Sequence, residues 1–294
     1  MENHTFGWMV LGVALALRNQ AHAETQIVKV GPPPARMNLL KAGSHRYLRY
    51  EVRGDKRIAH DIWNRLVSFE LKDGVRRLHL TQRWDQVNAA PGATSALEQD
   101  SWFDARNFRP LTHVRRVFVG EEVTLAGYEF LDDKAVGLAG LPNNRRKDFS
   151  INYSETPFNF EYDMELIQTL PLHLGYEANI AFYDVGIDKK ADRYTFKVAG
   201  SSKITAWNGF PVDCWLVTAD YNTGTVQSRW WVDKTSQVVI REESRRDGAL
   251  LIKTLLPPES ADAQGGTGFP LRRTSSHRNS PFRNILQDDS GVRH

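Results

Sequence analysis

Most of this sequence alternates between apolar and polar residues, in runs that end at tight-turn signals. In "YLRYEVRG", Leu48 and Val52 fall on one face of a strand, because successive side chains of a strand point to opposite sides. Asp73-Gly74 and Asn208-Gly209 each separate two such runs, and glycine adopts the positive φ that a tight hairpin turn needs. The pattern predicts a mainly β fold of the α+β class: a curved antiparallel sheet or an open barrel, with one main helix in mid-chain.

Two of the predicted strands carry apolar residues on both faces. "VDCWLVT" contains Trp215 among apolar neighbours, and in "RWWVD" Trp230 and Trp231 are adjacent, so they must point to opposite faces. Protein must cover both sides of the sheet, or a bound apolar ligand covers one of them. If there is a ligand cavity, we expect Phe160, Met164, Trp215, Trp230 and Trp231 to line it, although the same residues would also make an ordinary core.

The main helix is predicted for residues 157–170. Thr156 is a suitable N-cap, and Pro157 fits the first helical position, where its missing N–H does no harm. Pro171 then ends the helix, because proline removes a backbone hydrogen bond and clashes with the preceding turn.

Glu161 and Glu165 lie four residues apart on this helix, on a different side from its apolar row. Two acids near the start of a helix complement its dipole, so a solvated helix face explains them. The alternative is that these carboxylates, together with Asp184 and His173, bind a cation or act as an acid–base pair. His173 lies beyond the proline that ends the helix, outside the Glu-x-x-His spacing of helical metal sites.

The sequence contains no motif for metal binding, nucleotide binding or nucleophilic catalysis. The nine histidines are isolated, and there is no phosphate loop, dinucleotide fingerprint or G-x-S-x-G elbow, so no cofactor is expected. Cys214 falls among apolar residues, where burial would raise the pKa of the thiol and keep it inert. The basic pairs are scattered and the net charge is only +3, which argues against a nucleic-acid surface.

The two ends of the sequence differ from its middle. Residues 1–23 resemble a secretory signal, because "FGWMVLGVALAL" is too short to span a bilayer and precedes a small-x-small site at Ala21 and Ala23. The single cysteine is far from that site, so we expect neither a lipoprotein anchor nor an intramolecular disulfide, and a periplasmic location fits best. Residues 24–41 are expected to be an extended linker, 42–256 a single β-rich domain, and 257–294 a disordered tail rich in Gly, Ser and Arg.

Several stretches occur in an order typical of one bacterial envelope family. They are "YLRYEV", "WFDARNFRPLTHV", "FNFEYDMELIQTLPL" followed by "ANIAFYDVG", "NGFPVDCWLV" and "RWWVDKTSQVVIREE". In this order the chain resembles the family called domain of unknown function 3108, or TapB-like, over residues 42–256. The resemblance implies secretion but no site, since the family has no established catalytic or binding residues. The strand pattern is also similar to lipoprotein-carrier folds, in which an open curved sheet holds a helical lid over an apolar cavity; fold alone does not fix function.

The expected function is non-catalytic. We expect the chain to bind or carry an apolar, lipid-like or other envelope-derived ligand, or to assist envelope assembly with a protein partner. One alternative is a carboxylate-based hydrolase or metal-dependent enzyme that uses Glu161, Glu165 and Asp184. Another is an interaction protein that docks through its basic tail. We expect no nucleic-acid partner and no membrane-spanning segment.

Overall fold

The structure is a computed structural model that describes residues 25–258, apart from residues 88, 91, 188 and 247 and the side chain of residue 246. The predicted signal segment, residues 1–23, and all but the first two residues of the predicted disordered tail, 257–294, lie outside the described residues.

Strands dominate the described part of the chain, where sixteen form one sheet. They are Gln26–Val28 (β1), Gly43–Arg53 (β2), Lys56–Lys72 (β3), Val75–Gln86 (β4), Thr94–Asp104 (β5), Pro110–Val119 (β6), Glu122–Phe130 (β7), Lys134–Gly137 (β8), Ser150–Asn152 (β9), Phe158–Asn159 (β10), Glu177–Tyr183 (β11), Asp192–Thr205 (β12), Pro211–Ala219 (β13), Ser228–Asp233 (β14), Val239–Arg246 (β15) and Ala249–Leu255 (β16).

The sheet follows the order β1-β11-β12-β13-β14-β15-β16-β2-β3-β4-β5-β6-β7-β8-β9, and β10 pairs with β11. Neighbouring strands are antiparallel, except that β1 and β10 run parallel to β11. The pairing of β16 with β2 brings the last strand beside the second one in the middle of the sheet. Among the described residues the end strands β1 and β9 do not pair, so the sheet is open. The predicted mainly β class with one mid-chain helix is confirmed.

The two predicted hairpin turns are present and differ in length. At Asp73-Gly74 both residues have positive φ, 52° and 75°, and Lys72 pairs directly with Val75. The turn at Asn208-Gly209 is wider and spans residues 206–210, with the Ala206 N–H donating to the Phe210 carbonyl at 2.9 Å. The Asn208 side chain accepts the Phe210 N–H at 3.1 Å and fixes this turn.

The helix is shorter than the predicted 157–170. A 3-10 turn at Phe160–Tyr162 leads into α1, Asp163–Gln168. The start is late because Phe158–Asn159 pairs with β11, and the Asn159 side chain then caps the turn by accepting the Glu161 N–H at 3.1 Å. Thr156, the predicted N-cap, instead donates its hydroxyl hydrogen bond to the Asp132 carbonyl at 2.8 Å.

The helix lies on the concave side of the sheet and is enclosed by it. Every residue of α1 is buried. On one side the Tyr162 hydroxyl donates to the Leu80 carbonyl of β4 at 3.3 Å, and on the other the Phe160 ring meets Phe182 of β11 at 5.2 Å. The prediction that Glu165 belongs to a solvated face was wrong, because its side chain is only 5% exposed.

The segment before β2 is part of the fold. Residues 24–41 were expected to form an extended linker, but β1 pairs with β11, and Met37–Leu39 forms a 3-10 turn. Val28 and Leu40 join the core. The Arg36 N–H donates to the Thr169 carbonyl at 2.9 Å, which ties this segment to the end of the helix.

Candidate functional site

A cleft of about 300 Å³ opens at the end of the sheet where α1 terminates. Three pieces of chain meet there: the start of β2 with the segment before it, the end of the helix, and the turn between β14 and β15. Its lining comprises Leu39, Lys41, Ala42, Gly43, His45, Gln168, Thr235, Ser236 and Val238. The cleft is therefore built by residues that are distant in sequence.

The lining of the cleft is amphipathic. Leu39 and Val238 supply apolar wall, and Gln168 and Ser236 supply hydrogen-bonding groups. Burial lowers the pKa of His45 below its usual range, an effect that the carboxylate of Glu165 partly opposes, so at neutral pH this imidazole is uncharged. The ammonium of Lys41, an exposed residue, is the cation of the cleft, and it donates to the Asn38 carbonyl at 2.9 Å.

Behind His45, a row of polar side chains crosses the interior of the sheet. His45, Arg65, Gln82, Gln99 and Arg115 occupy directly paired positions on β2 to β6, so they share one face. Each stands in the apolar phase of its strand, where a core residue is the usual occupant. We call these five residues the polar row.

The polar row holds the helix through a buried ion pair. Arg65 donates from Nε to Oε1 of Glu165 at 2.8 Å and from Nη2 to Oε2 at 2.5 Å, a two-point contact with defined geometry. Gln82 donates to the Glu161 carbonyl at 2.8 Å and accepts from Arg65 at 2.9 Å. Burial alone would lower the pKa of Arg65, but the charge and hydrogen bonds of Glu165 raise it, so the guanidinium stays charged.

The middle of the polar row is not satisfied. Gln99 is 1% exposed, and neither its side-chain oxygen nor its nitrogen has a hydrogen-bond partner among the described residues. Nε of Arg115, the neighbour of Gln99 on β6, is also buried without a described partner. A buried polar group without a partner costs free energy, so this position is a source of instability in the fold.

A second charged group lies near the start of the helix. Lys253 of β16 donates to Oε2 of Glu242 on β15 at 2.8 Å, and Ser244 donates to Oε1 at 3.1 Å. Burial and the nearby charge of Glu242 raise the pKa of Asp163, the first residue of α1, to about 7. Asp163 therefore gains a proton near neutral pH while enclosed in the sheet.

Ser101 and His113 form a buried pair in the same interior. Oγ of Ser101 lies 2.7 Å from Nδ1 of His113, a distance that a nucleophile and its base also require. The two residues are 0% and 1% exposed, so no substrate reaches them. Burial lowers the pKa of His113 to about 4, and the imidazole is neutral. The pair is a structural contact.

The five predicted cavity residues do not share one cavity wall. Phe160, Met164 and Trp230 belong to the buried core, and Trp230 packs on Phe196 at 5.4 Å. Trp215 is partly buried against that core, with the Lys234 ammonium 4.3 Å above its ring. Trp231 is half-buried and donates from its indole nitrogen to Ser202 at 3.0 Å. None of the five lines the cleft.

The carboxylates of the enzyme alternative are not brought together. Within the described residues no three His, Cys, Asp or Glu side chains are placed to hold a metal ion, so Glu161, Glu165 and Asp184 form no such group. Glu165 is engaged by Arg65, and His173 is an exposed residue of the loop after α1. Cys214 is buried, and burial raises the pKa of its thiol to about 12, which makes it unreactive.

The sequence contained a signal for the polar row that was missed. In "WNRLV", Arg65 stands in the same phase as Trp63 and Val67, and in "LTQRW", Gln82 stands in the same phase as Leu80 and Trp84. A polar residue in the apolar phase of a strand marks an interior polar group. The cleft had no such local signal, because its three walls come together only in the folded chain.

The chain matches a protein-family model and is similar to a solved structure. The family model described as "Protein of unknown function (DUF3108)" matches residues 49–251. Among solved structures, a beta-barrel-like protein of domain of unknown function DUF1849 from Brucella abortus is similar, with 12% identity and a TM-score of 0.45, over 72% of this chain and 94% of that chain. The comparison with curated proteins gave no match.

No helix among the described residues is long and apolar enough to cross a membrane. The family match includes the second half of β2, all of β3 to β15 and the first strand positions of β16. The match therefore covers most of the sheet and the whole of α1. By this match, the chain belongs to the family DUF3108, described as protein of unknown function.

Proposed function

We propose that this protein is a non-catalytic binding protein of the periplasm that holds a small amphipathic, envelope-derived molecule in the cleft beside α1. The observation that carries the proposal is the cleft itself, which combines apolar walls with an exposed ammonium and polar side chains in about 300 Å³. That volume lies at the lower end of the range for small-molecule sites, and such sites typically pair apolar lining with a few polar groups.

The packing of the interior favours a ligand site at the end of the sheet, in the cleft, over one in the centre of the sheet. The helix and its buried neighbours occupy the concave face, where Met164, Leu166 and Ile167 are each 1% exposed or less. A lipid chain would have to displace this packed helix and break the Arg65–Glu165 ion pair, which is costly when one partner is left buried and unpaired. The cleft requires no such displacement.

The polar residues of the cleft suggest the chemistry of the ligand. Lys41 favours an anionic head group, and Thr235 offers a hydroxyl group beside it. The neighbouring Ser236 hydroxyl already donates to Asp233 at 2.6 Å. Leu39 and Val238 suit a short apolar portion. A carboxylate or phosphate joined to a short alkyl or acyl chain combines these features.

Native mass spectrometry of the protein purified from a periplasmic extract tests the proposal. The chain as purified should begin at Glu24 and carry a reproducible low-mass adduct, and decanoate added to the delipidated protein should bind at one site. Val238→Trp should fill the cleft and abolish both the adduct and decanoate binding. Val226→Trp, in the loop at the opposite end of the sheet, is the matched control and should keep them.

Thermal unfolding of each variant checks that the fold is intact. Lys41→Glu should weaken decanoate binding while leaving a neutral alcohol of equal chain length unaffected. If decanoate binds Val238→Trp as well as it binds the native chain, or binds neither, the cleft is not the site.

A further inference from the structure

Two hairpins project beyond the cleft, one on each side of it. Gly43, the first residue of β2, pairs with Val67, so β3 continues for five more residues to Lys72 before turning into β4. Cys214 pairs with Asp233, the last residue of β14, so residues 211–213 of β13 extend past the end of β14. In the strand order the start of β2 and the β14–β15 turn, which both line the cleft, lie between the two hairpins.

The tips of both projecting hairpins expose large apolar side chains. On the β12–β13 tip, Trp207 is 51% and Phe210 69% exposed. On the β3–β4 tip, Leu71 is 78% and Val75 47% exposed. Both tips close well-paired hairpins, so these exposed side chains lie at the end of the sheet, beyond the cleft. We call these four residues the apolar rim.

The excess of positive charge beside the apolar rim lies on its β3–β4 side and in the cleft. On the β12–β13 side, Lys203 and Lys234 are balanced by Asp213 and Asp233, so this side carries no net charge. On the β3–β4 side, Lys72 and Arg76 stand against one acid, Asp73. The β3–β4 side therefore contributes a net charge of +1 beside its apolar tip, and Lys41 adds another cation between the two tips.

We propose that the apolar rim docks on the surface of an anionic lipid bilayer. The two tips are separated by five strand spacings, which is about 24 Å along the curved sheet. Side chains that far apart do not form one contiguous patch for a protein pocket, but a deformable planar interface contacts both at once. Tryptophan with flanking basic residues is the composition that favours the head-group layer of an anionic membrane. Docking in this orientation turns the mouth of the cleft toward the bilayer.

Vesicle binding of the full mature chain tests the docking surface. Native protein should bind vesicles of phosphatidylcholine and phosphatidylglycerol more tightly than vesicles of phosphatidylcholine alone, and the binding should weaken with salt. Trp207→Ser combined with Phe210→Ser should weaken binding to the mixed vesicles about tenfold or more. Val123→Ser combined with Val226→Ser, at the opposite end of the sheet, is the matched control and should bind as the native chain does.

A local probe separates docking through the rim from binding through another part of the chain. In a Cys214→Ser background, which removes the only native thiol, Phe210→Cys and Val123→Cys each place one environment-sensitive fluorophore at one end of the sheet. Mixed vesicles should shift the emission of the probe at position 210 to the blue and leave that at position 123 unchanged. Vesicle binding without a shift at position 210, or equal shifts at both positions, would overturn the proposal.

Binding of the apolar rim to vesicles does not depend on whether a ligand occupies the cleft. Val238→Trp should still bind mixed vesicles and shift the probe at position 210, even though it no longer binds decanoate. Loss of decanoate binding with retained vesicle binding would separate the two functions. If native protein binds decanoate but no vesicles, the membrane proposal fails and the cleft remains.

Discussion

The two sides of α1 are held by different kinds of contact. Toward β11 to β14, aromatic rings make a continuous chain, with Phe160 against Phe182, Phe182 against Phe196 and Phe196 against Trp230 at centroid distances of 5.2 to 5.7 Å. Toward β3 and β4, the polar row holds the helix through Arg65 and Gln82. Apolar contact is nearly non-directional, whereas a two-point ion pair fixes position and orientation.

The comparison indicates which half determines where the helix lies. The aromatic half supplies burial and tolerates changes of shape that conserve volume, as close-packed cores generally do. The polar half has one geometry in which its charges are satisfied. We therefore expect substitutions in the polar half to have the larger effects and the stronger dependence on the identity of the partner residue.

The largest expected effect comes from breaking the ion pair on one side. Glu165→Ala leaves the Arg65 guanidinium buried without its partner and should lower the free energy of unfolding by about 3–5 kcal/mol. Urea unfolding followed by circular dichroism measures it. Phe196→Leu, in the aromatic half, is the comparison and should cost less than about 1.5 kcal/mol.

Replacing both partners tests whether the cost arises from the orphaned charge. Arg65→Met combined with Glu165→Met should recover most of the loss, because it leaves no buried charge unpaired. Equal destabilisation in the single and double variants would mean that packing, rather than charge, dominates the polar half.

The next effect is a pH dependence centred on Asp163. Its folded pKa is raised to about 7, so between about pH 4 and 7 the folded chain keeps a proton that the unfolded chain releases. This group's contribution to stability is therefore greatest below about pH 4 and is lost as the pH rises to 7. Asp163→Asn has no carboxyl group at this position, so it does not lose this stability as the pH rises. The free energy of unfolding of the variant minus that of the native chain should therefore increase by about 1.4 kcal/mol per pH unit across this window.

The free energies of unfolding of the native chain and of Asp163→Asn must be compared at each pH, because titration of His113 changes stability in the opposite direction. The lowered pKa of His113 makes its contribution fall as the pH drops from about 6.5 toward 4. That contribution is common to the native chain and to Asp163→Asn, so it cancels in the difference. A difference that stays constant from pH 4 to 8 would contradict the raised pKa.

The smallest effect is expected at the unsatisfied position of the polar row. Gln99→Met keeps the volume and removes an amide without described partners, and should raise the free energy of unfolding by about 1 kcal/mol. Gln82→Met is the matched control and should be destabilising, because that amide bonds both Arg65 and the Glu161 carbonyl. Thermal and urea unfolding compare the two. A loss of stability in Gln99→Met would show that the amide has a partner such as buried water.

Local patterns determined much of this fold in advance. Alternation with a period of two predicted the strands, and Asp73-Gly74 specified a two-residue turn because both positions adopt positive φ. The mid-chain helix was predicted, but not its length. Pairing of Phe158–Asn159 with β11 consumed the first turn, and such a pairing depends on residues more than twenty positions away.

The candidate site was much less visible in the sequence. The opposite orientations of Trp230 and Trp231 followed from strand geometry, and their placement in the core and near the surface agrees with it. Glu165 was interpreted as a solvated acid because dipole and spacing arguments treat a helix as isolated. Its partner Arg65 lies one hundred positions earlier, so only the folded chain brings the two together.

The sequence by itself determined the class of the fold, the strand periodicity and the hairpin turns, since these depend on interactions between near neighbours. The tertiary structure decided that the helix is enclosed by the sheet, that its acid is paired, and that the cleft opens between two apolar tips. Those features depend on the pairing of β16 with β2 and on the curvature of the sheet, which bring distant segments to one end of the molecule. No local pattern encodes that juxtaposition.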